Sequence, residues 1–232
     1  MNLGPGSPFD VYTSTSNPGI ALGTVGVTND GRRFRFISAG AVALVPGKLQ
    51  QAPAEVTANQ NLAIAAAAIG ATSIVTTSTV TVTANQYAGG WAVPTATPGQ
   101  GYYYRILSHP ATTAAVLTLT LDDAISVALT TATTLDLVAN PYGSIIVNPT
   151  TATSAPVGAA VSIVPISGFG WVQTEGVTSV LADGTVTVGT ALVASNGTAG
   201  AAEALAGVQA PVATALTGIA TTEYGAVNLQ IN

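Results

Sequence analysis

LTLTL, residues 117–121, decides the fold class. An extended chain places successive side chains on opposite faces, so Leu117, Leu119 and Leu121 face a core while Thr118 and Thr120 face outward. The same period of two runs through Val80 and Val82 against Thr79, Thr81 and Thr83. It continues through Ile125, Val127 and Leu129, through Leu135 and Leu137, and through Val161 and Ile163. Outward threonine keeps a strand wettable without charge, and its branched Cβ suits a pleated surface. Turn residues separate these runs at Pro98-Gly99, Asp122-Asp123, Asn140-Pro141, Asn148-Pro149 and Pro156. Short strands at this spacing predict a sandwich or a barrel.

Toward the N-terminus, EVTANQNLAIAAAAIGA (55–71) is the one helix candidate. Its alanines favour helix, Thr57 or Asn59 offers a cap and Gly70 an end. Before it, GTVGVTNDGRRFRFISAG (23–40) reads as a hairpin, because Asn29-Asp30-Gly31 tolerates the positive φ of a tight turn. Phe34 and Phe36 then share one strand face, and Arg33 and Arg35 the other. Residues 1–23, broken by Pro5, Pro8 and Pro18, read as an extended arm, with a disordered tail as the other reading.

Toward the C-terminus, the chain from Gly168 reads as a separate small β unit. Val180-Leu181, Asp183-Gly184 and Val186/Val188 predict a hairpin, Asn196-Gly197 another turn, and Ala226 to Ile231 a closing strand. The expected architecture is all-β. An N-terminal arm and basic hairpin occupy 1–50, a β-sandwich or barrel body 51–167, and a small β-roll 168–232. Neither α/β alternation nor an exact internal repeat is visible.

Charge is scarce. Five cations and ten carboxylates make fifteen charged side chains in 232 residues, 6 %, against about 25 % for an ordinary domain. Four of the five cations are Arg32, Arg33, Arg35 and Lys48. With Asp10 and Asp30, residues 1–50 carry +2 and the remainder −7. A monomer wetted on all sides rarely uses so little charge. A core built mainly of Ala and Val also gives limited burial at roughly 25 cal/mol per Å². Both observations predict a body held by contacts with other chains. The doubly cationic strand face predicts a contact with a partner, with a solvated face as the alternative. The acidic balance argues against bulk nucleic-acid binding, which depends on neutralising phosphates. Leu62 to Ala71 is an apolar run of about half the roughly 20 residues a membrane helix needs. MNLGPGSPFD lacks the basic and apolar regions of a signal peptide, so the expectation is a cytoplasmically made chain without classical export.

The chemical inventory is thin. Cysteine is absent, and His109 is the one histidine. A zinc site needs three or four His or Cys ligands. Ser108 beside His109 carries no triad signal, because a triad needs a strained nucleophile turn and an orienting acid; a surface or capping imidazole is expected. Asp122-Asp123 lacks the spaced acids of a calcium loop. Gly99-Gln100-Gly101 opens no helix and so lacks the dipole of a phosphate loop. No catalytic residue, metal or cofactor is expected, and the chain is not expected to be an enzyme. In Tyr102-Tyr103-Tyr104 the period of two puts Tyr102 and Tyr104 on one face. Tyrosine is apolar with a polar tip and recurs at interfaces, so these two are the expected subunit contacts.

Five stretches together resemble the capsid cement (decoration) proteins of tailed bacteriophages: TNDGRRFRFISAGAVALVPGKLQQ (28–51), TANQYAGGW (83–91), GQGYYYRILSH (99–109), LVANPYGSIIV (137–147) and GFGWVQTEGVTSVLADGTVTVGTALV (168–193). The C-terminal part is also similar to the small β-roll of lambda-type head decoration proteins. The resemblance implies a homotrimeric structural protein on the outer surface of the virion that clamps neighbouring major capsid protein subunits. It implies no nucleic-acid or membrane partner. Arg32, Arg33, Arg35 and Lys48 would then meet the capsid. The alternative is a head-fibre or surface module binding host glycans, with Trp91 or Trp171 as the stacking residue.

Overall fold

A computed structural model describes residues 10–17 and 19–231. The chain folds into two compact units. Residues 55–140 form one, and 1–54 with 141–232 form the other. The first segment of the larger unit supplies β1 (Val25–Val27), β2 (Arg33–Ser38) and β3 (Leu49–Gln51). The smaller unit holds β4 (Leu62–Ala63), β5 (Ser73–Thr77), β6 (Thr81–Val82), β7 (Trp91–Pro94), β8 (Tyr104–Ser108), β9 (Thr112–Thr113), β10 (Val116–Leu121) and β11 (Thr134–Val138). The chain then returns to the larger unit with β12 (Ile146–Val147), β13 (Pro156–Ala160), β14 (Phe169–Leu181), β15 (Ala191–Ala194), β16 (Ala202–Ala204), β17 (Ala213–Ala215) and β18 (Tyr224–Gln230).

The all-β expectation holds, with curled, barrel-like sheets. In the smaller unit the order β4-β11-β7-β8-β10-β5 closes on itself through a bridge between Ile64 and Thr76. The leucines of β10 point into its core with Ile74, Ile106, Leu135 and Tyr104, and the threonines point out, as the alternation requires. In the larger unit β14 is the spine. Its first half pairs with β2 and its second half with β18, because a register shift between Gln173 and Glu175 turns the strand from one partner to the other.

The strands and turns depart from the sequence reading in four places. Residues 55–71 form no α-helix: a short 3₁₀ turn at Thr57–Asn59 leads into β4 and then bridges to Thr76 and Leu129. Tertiary pairing here overrides the propensity of alanine. Residues 146–160 pair with β3 and β14 rather than with the expected 51–167 body. Pro156 opens a strand instead of marking a turn. Asp183-Gly184 closes no hairpin, since β14 continues onto β18 and Val186 bridges to Ile219.

One backbone unit recurs six times although no residue pattern repeats. A bridging residue is followed by a four-residue turn and then a strand. The bridging residues are Leu44, Ala67, Leu129, Val164, Val186 and Ile219. In each turn the amide four residues after the bridge donates to the carbonyl one residue after it: Lys48 to Val45, Ala71 to Ala68, Thr133 to Thr130, Gly168 to Pro165, Thr190 to Thr187 and Glu223 to Ala220. The third residue after the bridge has positive φ at Gly47, Gly70, Ser167, Gly189 and Thr222. The turns bridge reciprocally in three pairs, Leu44 with Val164, Ala67 with Leu129 and Val186 with Ile219. Each pair serves its own core, two in the larger unit and one in the smaller.

Candidate functional site

The basic hairpin is built as its sequence requires. Thr28 N–H donates to Arg32 O at 3.0 Å, Gly31 N–H to Thr28 O at 3.0 Å, and Gly31 adopts φ 85°. This is a three-residue loop ending in a left-handed glycine. Asp30 accepts from the Thr28 hydroxyl and from Arg32 Nε at 2.8 Å. The Thr28 hydroxyl first, and Arg32 after it, hold the Asp30 carboxyl below its ordinary range.

The arginines face inward more than the sequence suggests. Arg32 also donates to the Tyr12 hydroxyl at 3.2 Å and lies 5.6 Å from the Phe34 ring centroid. The Tyr12 hydrogen bond, then Asp30, raises its pKa further. Arg35 donates to Gly23 O at 2.9 Å and stacks 5.3 Å above Tyr142. Arg33 meets Glu175 at 3.4 Å and keeps a side chain 55 % exposed. Further along this face Ile37 is fully buried in a second core, so β2 is covered on both sides. Lys48 stands apart. Its carbonyl pairs with Ala160, which faces Val172, which faces Arg35. Three inter-strand steps of about 4.8 Å place it roughly 14 Å away along the sheet. The four cations therefore form a hairpin cluster of three and one separate lysine.

On the other face Phe34 and Phe36 pack with Trp171, which meets Phe36 edge-on at 5.2 Å. The described part of the expected arm covers this cluster. Val11 is buried, Ile20 and Leu22 pack against the rings, and Thr15 exchanges both backbone hydrogen bonds with Phe169. Residues 1–9 and Pro18 of the arm lie outside the described residues.

The tyrosine run divides differently from its period. Tyr104 begins β8 and is 4 % exposed in the barrel core, whereas Tyr102 sits in the preceding turn and Tyr103 is 70 % exposed. Tyr104 thus faces the core of its own unit and not the outer surface on which the subunit contact was expected. The outward aromatic pair is Tyr102 and Tyr103. Trp171 is likewise buried and stacks on nothing outside its core. Trp91 lies on the outer sheet face in register with Arg105 and Val138 and is partly exposed.

His109 is buried rather than superficial. Its Nε2 accepts the Tyr87 N–H at 2.9 Å and its Nδ1–H donates to Pro110 O at 2.8 Å, so both nitrogens are engaged within the fold. Beside it the Tyr87 hydroxyl accepts from Asn59, whose carbonyl oxygen accepts from Ser78, each at 2.8 Å. Burial raises the Tyr87 pKa. This network pins the end of the barrel. Asp122 pairs with Arg105 at 3.0 Å. Among the described residues no three His, Cys, Asp or Glu side chains come together as a metal site, and no helix is long and apolar enough to cross a membrane.

What sequence reasoning missed is the exposed apolar surface. Eighteen large apolar side chains are exposed among the described residues, from Tyr12 to Tyr224, against fifteen charged residues in the whole chain. Several stand on the recurring turns, at Val45, Ile69, Ile166 and Val188. Only the turn geometry shows which aliphatics lie at tips and which in strands. No family model matches the chain, and no curated protein or solved structure matches it significantly.

Proposed function

We propose that this protein is a structural virion protein: a homotrimeric cement protein on the outer surface of a tailed-phage head, binding the major capsid protein and holding neighbouring subunits together. The observation that carries this reading is the excess of exposed large apolar side chains over charged ones. Each such side chain gains by leaving water. The rest of the chain is consistent with a scaffold. His109, the Tyr87 and Ser78 hydroxyls and most of the arginines among the described residues make internal hydrogen bonds. In this reading Arg33 and Lys48 supply the electrostatic part of the capsid contact, while Arg32 and Arg35 shape the hairpin that presents it.

The test is co-sedimentation of purified protein with expanded heads at low salt. Saturable binding that weakens in Arg33→Glu supports the reading. Absence of binding to heads lacking any decoration refutes it, and undiminished binding of the variant removes the charge contribution. A second reading, glycan recognition, draws on Trp91 and Tyr103 on the outer barrel face. A glycan array without a hit that Trp91→Ala abolishes would remove it.

A further inference from the structure

Asn196-Gly197 is the one Asn-Gly step in the chain, and both residues are exposed. In such a step the backbone nitrogen after the asparagine can attack the side-chain carbonyl carbon, and glycine has no Cβ to obstruct the approach. Asparagine belongs to the thermolabile residues for this reason. The fold gives the glycine a separate reason to be there. A Cβ at position 197 would stand 2.6 Å from Asp183 Oδ2, and that carboxylate is held in place by Ser195. The labile step therefore cannot be removed by exchanging its glycine without disturbing Asp183.

Beneath the exposed step the structure builds a clamp. Ser195 is buried, and its hydroxyl donates to Asp183 Oδ2 at 2.5 Å. The same oxygen accepts Gly197 N–H at 2.9 Å and Thr198 N–H at 3.0 Å. One donor and two acceptor positions exhaust a serine hydroxyl, and its bond to a carboxylate is charge-assisted. Cyclisation requires the opposite arrangement: the Gly197 nitrogen must give up its proton and turn toward Asn196 Cγ. Two consecutive amides fixed on one buried oxygen resist both movements. The turn also carries structural weight. Ser195 N–H donates to Ala201 O at 2.9 Å, Gly200 N–H to Asn148 O at 2.8 Å, and Leu49 N–H to Gly200 O at 2.8 Å, so it joins the end of β15 to β3.

We infer that Asn196 is a site of self-modification whose rate is set by the Ser195–Asp183 clamp on the Gly197 amide. The Gly197 nitrogen bonds to Asn196 Cγ, the Cγ–Nδ2 bond breaks, and ammonia leaves with the proton that the Gly197 nitrogen gave up. Water then opens the resulting succinimide at either carbonyl, giving an aspartyl or an isoaspartyl residue. The step needs no oxidant and no cofactor. In the closed turn it is slow; local opening of the turn releases the amide and lets it run. The change is one-way. It adds a carboxylate close to Asp183 in a chain of net charge −5, and the isoaspartyl form lengthens the backbone and carries Gly197 N–H away from Ser195. Residue 196 thereby records how often this turn has opened. The inference stands independently of the virion role.

The experiment incubates the folded full chain at mildly alkaline pH and follows residue 196 by peptide mapping with mass spectrometry and isoaspartate detection. The same chain unfolded in urea gives the unclamped rate, and the folded wild type is expected to convert at least about tenfold more slowly. Ser195→Ala removes the acceptor of both amides. While folded, it is expected to convert about tenfold faster than the wild type, a factor equal to about 1.4 kcal/mol. Ile37→Val, a loss of similar size in a separate core of the same unit, is expected to leave the rate unchanged. Should Ser195→Ala fail to fold by circular dichroism, hydrogen exchange of the wild-type Gly197 and Thr198 amides carries the test, with both expected to be protected. No conversion at residue 196 in urea, or conversion in the folded wild type as fast as in urea, overturns the inference. So does an unchanged rate in folded Ser195→Ala, an equal rise from Ile37→Val, or freely exchanging amides.

Discussion

Replacing Gly70 or Gly189 by alanine isolates the strain of the recurring turn. Each glycine is the third residue after its bridge, at φ 87° and 81°, and an added Cβ meets nothing within 4 Å at either position. The left-handed conformation costs a non-glycine residue about 1–2 kcal/mol. Alanine recovers about 0.4–1 kcal/mol by restricting the unfolded chain. The net loss is therefore about 1 kcal/mol at both sites. At Gly47, φ 76°, the Cβ would stand 2.6 Å from the Tyr224 ring. That ring is half exposed and swings aside, adding roughly 0.5–1 kcal/mol of lost packing. Thr222→Gly runs the other way. It relieves a β-branched residue at φ 67° and gains up to about 1 kcal/mol after the glycine entropy cost. Urea titration followed by ¹⁵N indole signals reads each unit separately, because Trp91 lies in 55–140 and Trp171 in the other unit. With m near 1–2 kcal/mol/M, a loss of about 1 kcal/mol moves the midpoint by about 0.5–1 M. Gly70→Ala should move only the Trp91 transition and Gly189→Ala only that of Trp171. Unchanged midpoints in both alanine variants, or a destabilised Thr222→Gly, would refute the equivalence of the turns.

Three further outcomes follow from single contacts. The Tyr104 hydroxyl is buried without a hydrogen-bond partner, so Tyr104→Phe should be neutral or stabilising by up to about 1 kcal/mol; a loss above that in thermal unfolding contradicts the placement. Phe36→Ala empties a cluster sealed by Val11, Ile20, Leu22 and Trp171 and should cost about 3–5 kcal/mol, with residues 10–17 becoming protease-sensitive; a protected segment would mean it is held by other contacts. The Asp30 carboxyl is depressed below its ordinary 3.8, so its contribution is present above that pH and fades as pH falls through the lower folded value. NMR titration should show an Asp30 midpoint below 3.8 that moves up in Thr28→Val, and an unmoved midpoint would remove Thr28 as the main cause.

The sequence made the strands legible where one face is buried and the other wet. LTLTL became β10 with its leucines inside, and RFRF became β2 with its phenylalanines inside. It failed where burial is two-sided or where pairing is set by distant chain. Ile37 has its own core on the arginine face, and Ala65–Ala68 reads as helix because alanine carries no β signal while its partners lie at Val75 and Leu129. The recurring turns were invisible for a related reason. No one residue is common to VPGK, AIGA, TTAT, PISG, TVGT and ATTE at any position; all six share a hydrogen bond, and all but TTAT a positive φ at the third residue. The basic hairpin was legible as a hairpin and as a cation cluster. Its arginines' internal partners, Tyr12, Glu175, Gly23 O and Tyr142, come from four separate parts of the chain. Tyr104 was misplaced because alternation relates Tyr102 to Tyr104 only when both lie in one strand, and Tyr102 belongs to the turn.

Quantitative mass analysis of purified virions tests the proposed role most directly. The account predicts that this chain is present at a fixed ratio to the major capsid protein and stays with the heads after tails are removed. Absence of the chain from virions, or a handful of copies per particle released with the tails, would contradict it.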